Sequence, residues 1–392
     1  MTTSSASPAA APRSRFIDLH VLQSVPYSNL NRDDTNSVKT VQYGDRERTR
    51  VSSQCWKRAV RRYFQRTVGE EALRTRRIGE AVTKLLHDER QWPADLARRA
   101  GQHIAAGSSI KADPPSKDDP AWSTNAMVYV PATAVGELAD IAQAHREALE
   151  GSKDMKKGGK SVLPQEEIDA VLRSRNGVIN LFGRMLAEID EAGVDGAVQV
   201  AHALTTHGTD VEVDYFAAVD DITADWRDTT GSAHMGSTEF SAGVFYRYAT
   251  IDLDDLVRNI GGDRAAARTL VTAFIEAFLL SLPEAKKTAT APHTIPDLVH
   301  LSVRSDRPVS YAAAFEKPVT AGNLGGYAEP SRRALADYAT AATRLLGTRG
   351  VVTAGWAGLD EKDLSGLGTR TDSFDDLITA SVAAALGEDG AA

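Results

Sequence analysis

FIDLHVLQSVPYSNLNRDDTNSVKTVQYGDRERTRVSSQCWKRAVRRYF, residues 16–64, decides the fold class. Residues 16–23 (FIDLHVLQ) are rich in Phe, Ile, Leu and Val and read as a buried strand. Residues 24–50 are polar, with Pro26, Asn29, Asn31, Asp33, Asp34, Asn36 and Gly44 as turn formers, and read as a loop. Residues 51–64 (VSSQCWKRAVRRYF) read as a helix capped by Ser52 or Ser53. Trp56, Val60, Tyr63 and Phe64 share one face of it, and Lys57, Arg58, Arg61 and Arg62 share the other.

Outward from there, residues 69–195 are mostly helical and charged. Low-order stretches at 107–123 and 151–161 interrupt them, so this region is expected to be a helical insertion with mobile loops. Residues 198–207 read as a further short helix. Residues 210–219 (DVEVDYFAAV) and 239–253 (EFSAGVFYRYATIDL) read as strands flanking a polar excursion. Residues 264–282 predict a helix ended by Pro283, 297–303 a strand, 331–346 a helix and 375–386 a terminal helix. Strand, helix, helical insertion, strand, strand, helix, strand is an α+β order. It predicts an antiparallel sheet with helices on one side. A ferredoxin-like core with large insertions satisfies that order, whereas a doubly wound sheet lacks its βα alternation here. Residues 1–15, biased to Ala, Ser and Pro, read as a disordered lead-in without the apolar centre of a secretory signal.

At 392 residues the chain has length for two to three domains. Its 45 Lys+Arg against 53 Asp+Glu give a net charge of −8, which excludes a uniformly basic nucleic-acid coater but not a local basic patch. The single cysteine, Cys55, excludes an internal disulfide and multi-cysteine zinc sites and fits a reducing cytoplasm. No apolar run is long enough to span a membrane.

The local patch is at the N-terminus. Between Arg32 and Arg62 stand nine cations, Arg32, Lys39, Arg46, Arg48, Arg50, Lys57, Arg58, Arg61 and Arg62, against four carboxylates, Asp33, Asp34, Asp45 and Glu47. Neutral exposed helices mix signs for i, i+4 pairing. Residues 51–62 carry no carboxylate at all, so an anionic partner is the economical explanation, and phosphates at backbone spacing fit the ridge. Other motifs fail. Gly158-Gly159-Lys160-Ser161 lacks the earlier glycine of a phosphate loop, because position 154 is Asp; a flexible basic loop with Lys153, Lys156, Lys157 and Lys160 remains. The nine histidines form no H-E-x-x-H pair, and no G-x-S-x-G is present. The Asp33-Asp34 pair, with His20 nearby, could hold Mg²⁺ and activate a water; the simpler reading is an Asx-turn or a partner for Arg32.

Residues 16–22, LNRDDTN at 30–36, RVSSQCWKRAVR at 50–61, AHALTTH at 201–207, DYFAAVDD at 214–221, GSAHMGSTEFSAGVFYRY at 231–248 and AFEK at 314–317 together resemble the CasC family. These are the backbone subunits of the type I-E CRISPR Cascade complex. The resemblance implies a right-hand organisation. A modified RNA-recognition (ferredoxin-like) palm would take residues 16–64 and 196–386. Helical fingers would take 65–195, a β-hairpin thumb 209–240, and a tail 387–392. It implies a non-enzymatic subunit that polymerises head to tail along CRISPR RNA, kinks it periodically and presents its bases to target DNA. The other Cascade subunits (large, small and the two that cap the RNA ends) would be its partners, with no cofactor, in the cytoplasm. Residue by residue, Arg32, Lys39, Lys57, Arg58 and Arg61 match positions expected to hold RNA phosphates. Ser52 and Gln54 match polar positions at the helix start, where hydroxyl, amide and free N–H groups suit an anion. Met185 resembles a finger residue that wedges beside the kink, and Phe216 a thumb residue that inserts at it.

Two rival functions compete. A metal-dependent ribonuclease would use Asp33 or Asp34. A general single-strand binder would need aromatic platforms, and aromatics are only 6% and do not interleave the basic helix.

Overall fold

Strand β1 (Phe16–Ser28) is buried on both faces along its first eight residues, which is why it reads as a near-continuous run and not as an alternation. The structure is a computed structural model and describes residues 14–117, 120–218, 234–347, 350–359 and 364–387. After β1 come β2 (Thr40–Tyr43), β3 (Arg46–Val51) and α1 (Ser53–Val68). Then follow β4 (Ala72–Thr75), α2 (Ile78–Lys84), α3 (Ala94–Ala106), β5 (Ala112–Asp113), β6 (Ser123–Thr124), β7 (Val128–Pro131), α4 (Ala134–Ala144), α5 (Arg146–Glu150), α6 (Gln165–Arg173) and α7 (Gly177–Phe182). The chain continues through β8 (Val198–Val200), β9 (Ala203–Thr205), β10 (Glu212–Ala218), β11 (His234–Asp252), α8 (Leu253–Asn259), α9 (Arg264–Leu280), α10 (Lys287–Thr290) and β12 (Leu298–Arg304). It ends with α11 (Ala328–Leu346), β13 (Val351–Gly358), β14 (Thr369–Arg370) and α12 (Phe374–Leu386). No described helix is long and apolar enough to cross a membrane.

The chain divides into two compact units. The first takes the described residues up to Tyr63, Gln199–Asp254 and those from Arg264 onward. Its sheet runs β14-β13-β12-β1-β11-β9-β3-β2, antiparallel except for the β13–β14 pair. This is the α+β class, but helices cover both faces and not one. Trp56 of α1 and Phe278 of α9 lie on Arg247 of β11, on the face of Val21. Leu335, Ala336 and Ala339 of α11 pack with Leu22, Tyr246 and Trp356 on the opposite face. The second unit is Phe64–Val198 with Asp255–Asp263. It has its own apolar core of Val82, Leu86, Trp92, Ile104, Leu138 and Leu172, and two small strand pairs, β4–β7 and β5–β6.

Two further expectations are corrected. Residues 24–50 are not all loop: β2 and β3 form a hairpin closed by Gly44 and Asp45, both at a φ of 60°. Positive φ at both central residues is what a type I′ hairpin turn requires. A Cβ at Gly44 would also collide with the Glu316 carbonyl. Residues 198–207 are not a helix but the short strands β8 and β9, because β9 fills the gap between β11 and β3.

The α11 face of the sheet is polar and aromatic. His20 stacks on Tyr311 at 4.1 Å and on His300 at 5.2 Å. Tyr246 Oη and His20 Nδ1 share a hydrogen bond at 2.8 Å, and Tyr248 Oη donates to Asp18 at 2.8 Å. Burial pushes His300 down to about 4 and His20 well below 6.5, while burial pushes Asp18 up to about 6. A histidine depressed in the folded state stabilises above its unfolded pKa and loses that contribution as pH falls toward the folded value. At pH 5, His300 alone forfeits about 2 kcal/mol. His20 forfeits in the same direction. Asp18 works oppositely: below pH ~6 its folded form takes up a proton the unfolded form does not, returning about 1.4 kcal/mol at pH 5. Two histidines outweigh one carboxyl. The thermal midpoint is therefore expected to be lower at pH 5.0 than at pH 7.5, and the drop to be smaller in His300→Phe. An equal drop in that variant places the acid sensitivity elsewhere.

Candidate nucleic-acid interface

The start of α1 is built against the loop that precedes it. Ser52 N–H donates to Asn31 Oδ1 at 2.8 Å, Lys39 N–H to Asn31 O at 3.3 Å, and the Cys55 thiol to Leu30 O at 3.4 Å. Ser52 Oγ accepts from Cys55 N–H at 3.3 Å, so Ser52 and not Ser53 caps the helix. Its hydroxyl is buried in that role, while Gln54 beside it is exposed.

Along α1, Gln54, Arg58 and Arg62 form an exposed stripe four residues apart, and Lys57 and Arg61 lie half-buried beside it. The opposite side, Trp56, Val60 and Phe64, is buried. Arg62 pairs with Glu284 at 2.6 Å. Lys39 and Arg58 both act on the Cys55 thiol, whose pKa burial raises and these two charges lower, so loop and helix cations converge there. Arg32 is exposed on the same loop and donates to Asn36 Oδ1 at 2.7 Å.

Asp33 shapes this loop. Its Oδ1 accepts from Thr35 N, Thr35 Oγ1 and Ser37 N, each at 2.8 Å. The Thr35 hydroxyl and the Ser37 amide hold its carboxyl below the usual range. This is the Asx-turn arrangement. Asp34 is exposed. Among the described residues, no group of three or more His, Cys, Asp or Glu side chains could hold a metal ion.

Glu239, which the sequence did not single out, fastens the loop to β11. Its carboxylate accepts from Val38 N–H at 2.9 Å and Ser37 Oγ at 3.2 Å, and its carbonyl from Asn29 Nδ2 at 2.9 Å. From that root β10 and β11 run on as a two-stranded ribbon, pairing Glu212 with Phe240 through Ala218 with His234. Residues 219–233, the expected tip of the excursion, lie outside the described residues. Val213, Tyr215 and Phe216 are exposed, Tyr215 at 76%. Phe216 lies across Gly236, where a Cβ would stand 2.5 Å from its ring. Exposed aromatics on a thin ribbon mark a recognition element more than a folding one.

The second unit holds Met185, 94% exposed, on a strap after α7. It also holds the lysine loop of residues 151–161, which is pinned at several points and follows α5 instead of a strand. Asp154 accepts from Arg98 at 2.6 Å and Arg99 at 3.4 Å, and Met155 N–H donates to Gln102 at 3.0 Å. Val162 N–H donates to His103 Nδ1, so the Nε2–H is free to donate to Lys153 O at 3.2 Å. Lys153, Lys156, Lys157 and Lys160 are all exposed.

The sequence profile of CT1975-like proteins matches residues 17–380. The chain belongs to the CT1975-like, or CasC-like, family. Two solved structures resemble this CT1975-like protein nearly end to end. A chain of a "CRISPR RNA-guided surveillance complex, pre-nicking" is 47% identical with a TM-score of 0.87, covering 94% of this chain and 100% of that one. A chain of a "CRISPR RNA-guided surveillance complex" is 42% identical with a TM-score of 0.77, covering 94% and 99%. No curated protein sequence matches.

Proposed function

We propose that the chain is the CRISPR-RNA-binding backbone subunit of a type I-E Cascade surveillance complex. The observation that carries this reading is its full-length likeness, at 47% identity, to a chain of a CRISPR RNA-guided surveillance complex. Copies polymerise head to tail along the guide, a heterologous contact that generates a helical filament. In this reading residues 16–64 and 196–386 are an RNA-recognition-like palm, 65–195 the fingers and 209–240 the thumb. Arg32, Lys39, Lys57, Arg58 and Arg61 hold phosphates, with Gln54 beside them. Ser52 contributes by capping the helix that carries the ridge. Met185 wedges beside each RNA kink, and Phe216 inserts at it.

Binding phosphates while leaving base edges free delegates sequence reading to the guide, which then pairs with target DNA. The other Cascade subunits are partners, and the complex works in the cytoplasm. The subunit itself is not a nuclease: Asp33 is engaged by three donors of its own turn, an arrangement that favours a loop-shaping role. The exposed lysine loop is a second cationic surface for a nucleic-acid backbone.

Size-exclusion chromatography with light scattering tests this. CRISPR RNA with Mg²⁺ is expected to raise the mass from 42.1 kDa to a defined multiple of it, with the RNA intact. High salt reverses the assembly, log affinity falling by roughly 0.7 per phosphate contacted. A mass unmoved by RNA sinks the backbone role, and RNA cut at regular intervals, with cutting lost in Asp33→Ala, replaces it with the nuclease.

A further inference from the structure

Met185 does not hold itself out. It sits on a strap pinned by a two-way bridge, Arg184 N–H to Val194 O at 2.9 Å and Val194 N–H to Arg184 O at 2.8 Å. Arg184 before it and Leu186 after it are both buried, so an extended backbone turns Met185 outward. Leu186, Ile189 and Ala192 of the strap join the unit's apolar core.

The anchor is the Arg184 guanidinium. Its Nε donates to Ala192 O at 2.7 Å, Nη1 to Tyr129 O at 3.1 Å and Ser174 O at 2.7 Å, and Nη2 to Arg173 O at 2.8 Å. Four carbonyls from β7, the end of α6 and the strap itself thus meet one planar fork. Arg173 and Ser174 close α6, where carbonyls lack helical partners and carry partial negative charge. Burial pushes the guanidinium down to about 10, with the Arg175 charge adding to the shift, so it stays ionised near neutrality. A fork with fixed donor directions constrains orientation as well as position, which a lysine ammonium does not.

We propose that Arg184 is the positioning residue for the Met185 wedge: the buried fork fixes the strap's direction and so the point at which Met185 meets the RNA. This rests on the wedge role proposed above for Met185. The fork locks the root of the strap to rigid elements, so the methionine enters the kink without first paying to order its backbone.

The test uses RNA–protein arrays reconstituted on guides carrying 2-aminopurine at one position at a time. A flipped-out base is bright and a stacked one is quenched, so wild-type arrays are expected to give maxima at a regular interval. Met185→Ala and Arg184→Met are both expected to lose that contrast. Arg184→Lys, which reaches some of the carbonyls, is expected to restore part of it. The mass and salt dependence of Arg184→Met arrays stay those of wild type, because the α1 ridge is untouched. No periodicity in wild type, or unchanged periodicity in Met185→Ala, overturns the wedge reading and this inference with it. Periodicity lost in Met185→Ala but kept in Arg184→Met overturns the positioning role alone. If Arg184→Met fails to fold, Arg184→Lys and Gly196→Ala decide. A Cβ on Gly196 would stand 2.8 Å from the Phe182 carbonyl carbon at the root of the strap. Full contrast in both of these variants overturns the proposal.

Discussion

Lys57→Glu, Arg58→Glu and Arg61→Glu together abolish RNA-dependent assembly at about 150 mM salt while the chain stays folded. Arg58 lies exposed on the side of α1 away from the buried Trp56 and Val60, and Lys57 and Arg61 lie half-buried at the edges of that exposed stripe. Each lost phosphate contact removes roughly 0.7 from the salt slope, and three reversals add repulsion along the whole ridge. In the proposed array, where copies bind side by side on one RNA, the loss repeats at every position. Arg62→Glu serves as the contrast. Arg62 already faces Glu284 at 2.6 Å, so its reversal costs assembly far less and breaks only a surface pair worth about 0–1 kcal/mol. Light scattering reads both. A normal mass jump in the triple variant means the phosphate track lies elsewhere.

Where the sequence was legible, one physical signal dominated locally. β1, α1, β11 and α9 are long, and their periodicity is set by burial, so pattern alone finds them. The β2–β3 hairpin was hidden by its composition, since RERTRV looks solvated. Arg48 in that strand is nonetheless buried, with its guanidinium spent on the carbonyls of Thr205 and Phe315, residues far away in sequence. The Gly44-Asp45 pair was the available signal for the turn. β13 went unread because its glycines and alanines depress strand propensity. It is paired along β12 and needs little propensity of its own. The candidate site divides in the same way. Cations crowded in sequence were visible, because an unbalanced charge run is a local fact. Asn31, Glu239 and Arg184 were not. Each works through backbone atoms that only folding brings to it, and no spacing rule encodes that.

Arg247→Ala costs about 4 kcal/mol of stability, whereas Arg247→Met costs only about 1–2. Arg247 is among the largest fully buried side chains. Its guanidinium lies 3.9 Å from the Trp56 ring centroid of α1 and 4.6 Å from that of Phe278 of α9. It donates to Gln23 Oε1 at 2.6 Å and to the Phe278 carbonyl. Among the described residues no charge partner offsets its burial, which pushes it down to about 9. A depression of that size corresponds to roughly 5 kcal/mol spent on keeping the charge out of water. The charge is therefore a net expense at this point, and the favourable part is volume and stacking between two rings. Alanine empties that volume and orphans two acceptors. Methionine refills most of it, orphans the same acceptors and removes the desolvation penalty. Urea unfolding measures the difference. If the two variants lose equally, the charge and not the packing seats α1. A loss near 4 kcal/mol is a large share of the 5–15 kcal/mol that typically separates folded from unfolded chains. Because Trp56 lies two residues from both Gln54 and Arg58 on the same helix, any loosening at Arg247 shifts the helix that carries the cationic ridge. Arg247→Ala should then weaken RNA-dependent assembly without touching a residue that meets the RNA, and Arg247→Met should largely spare it.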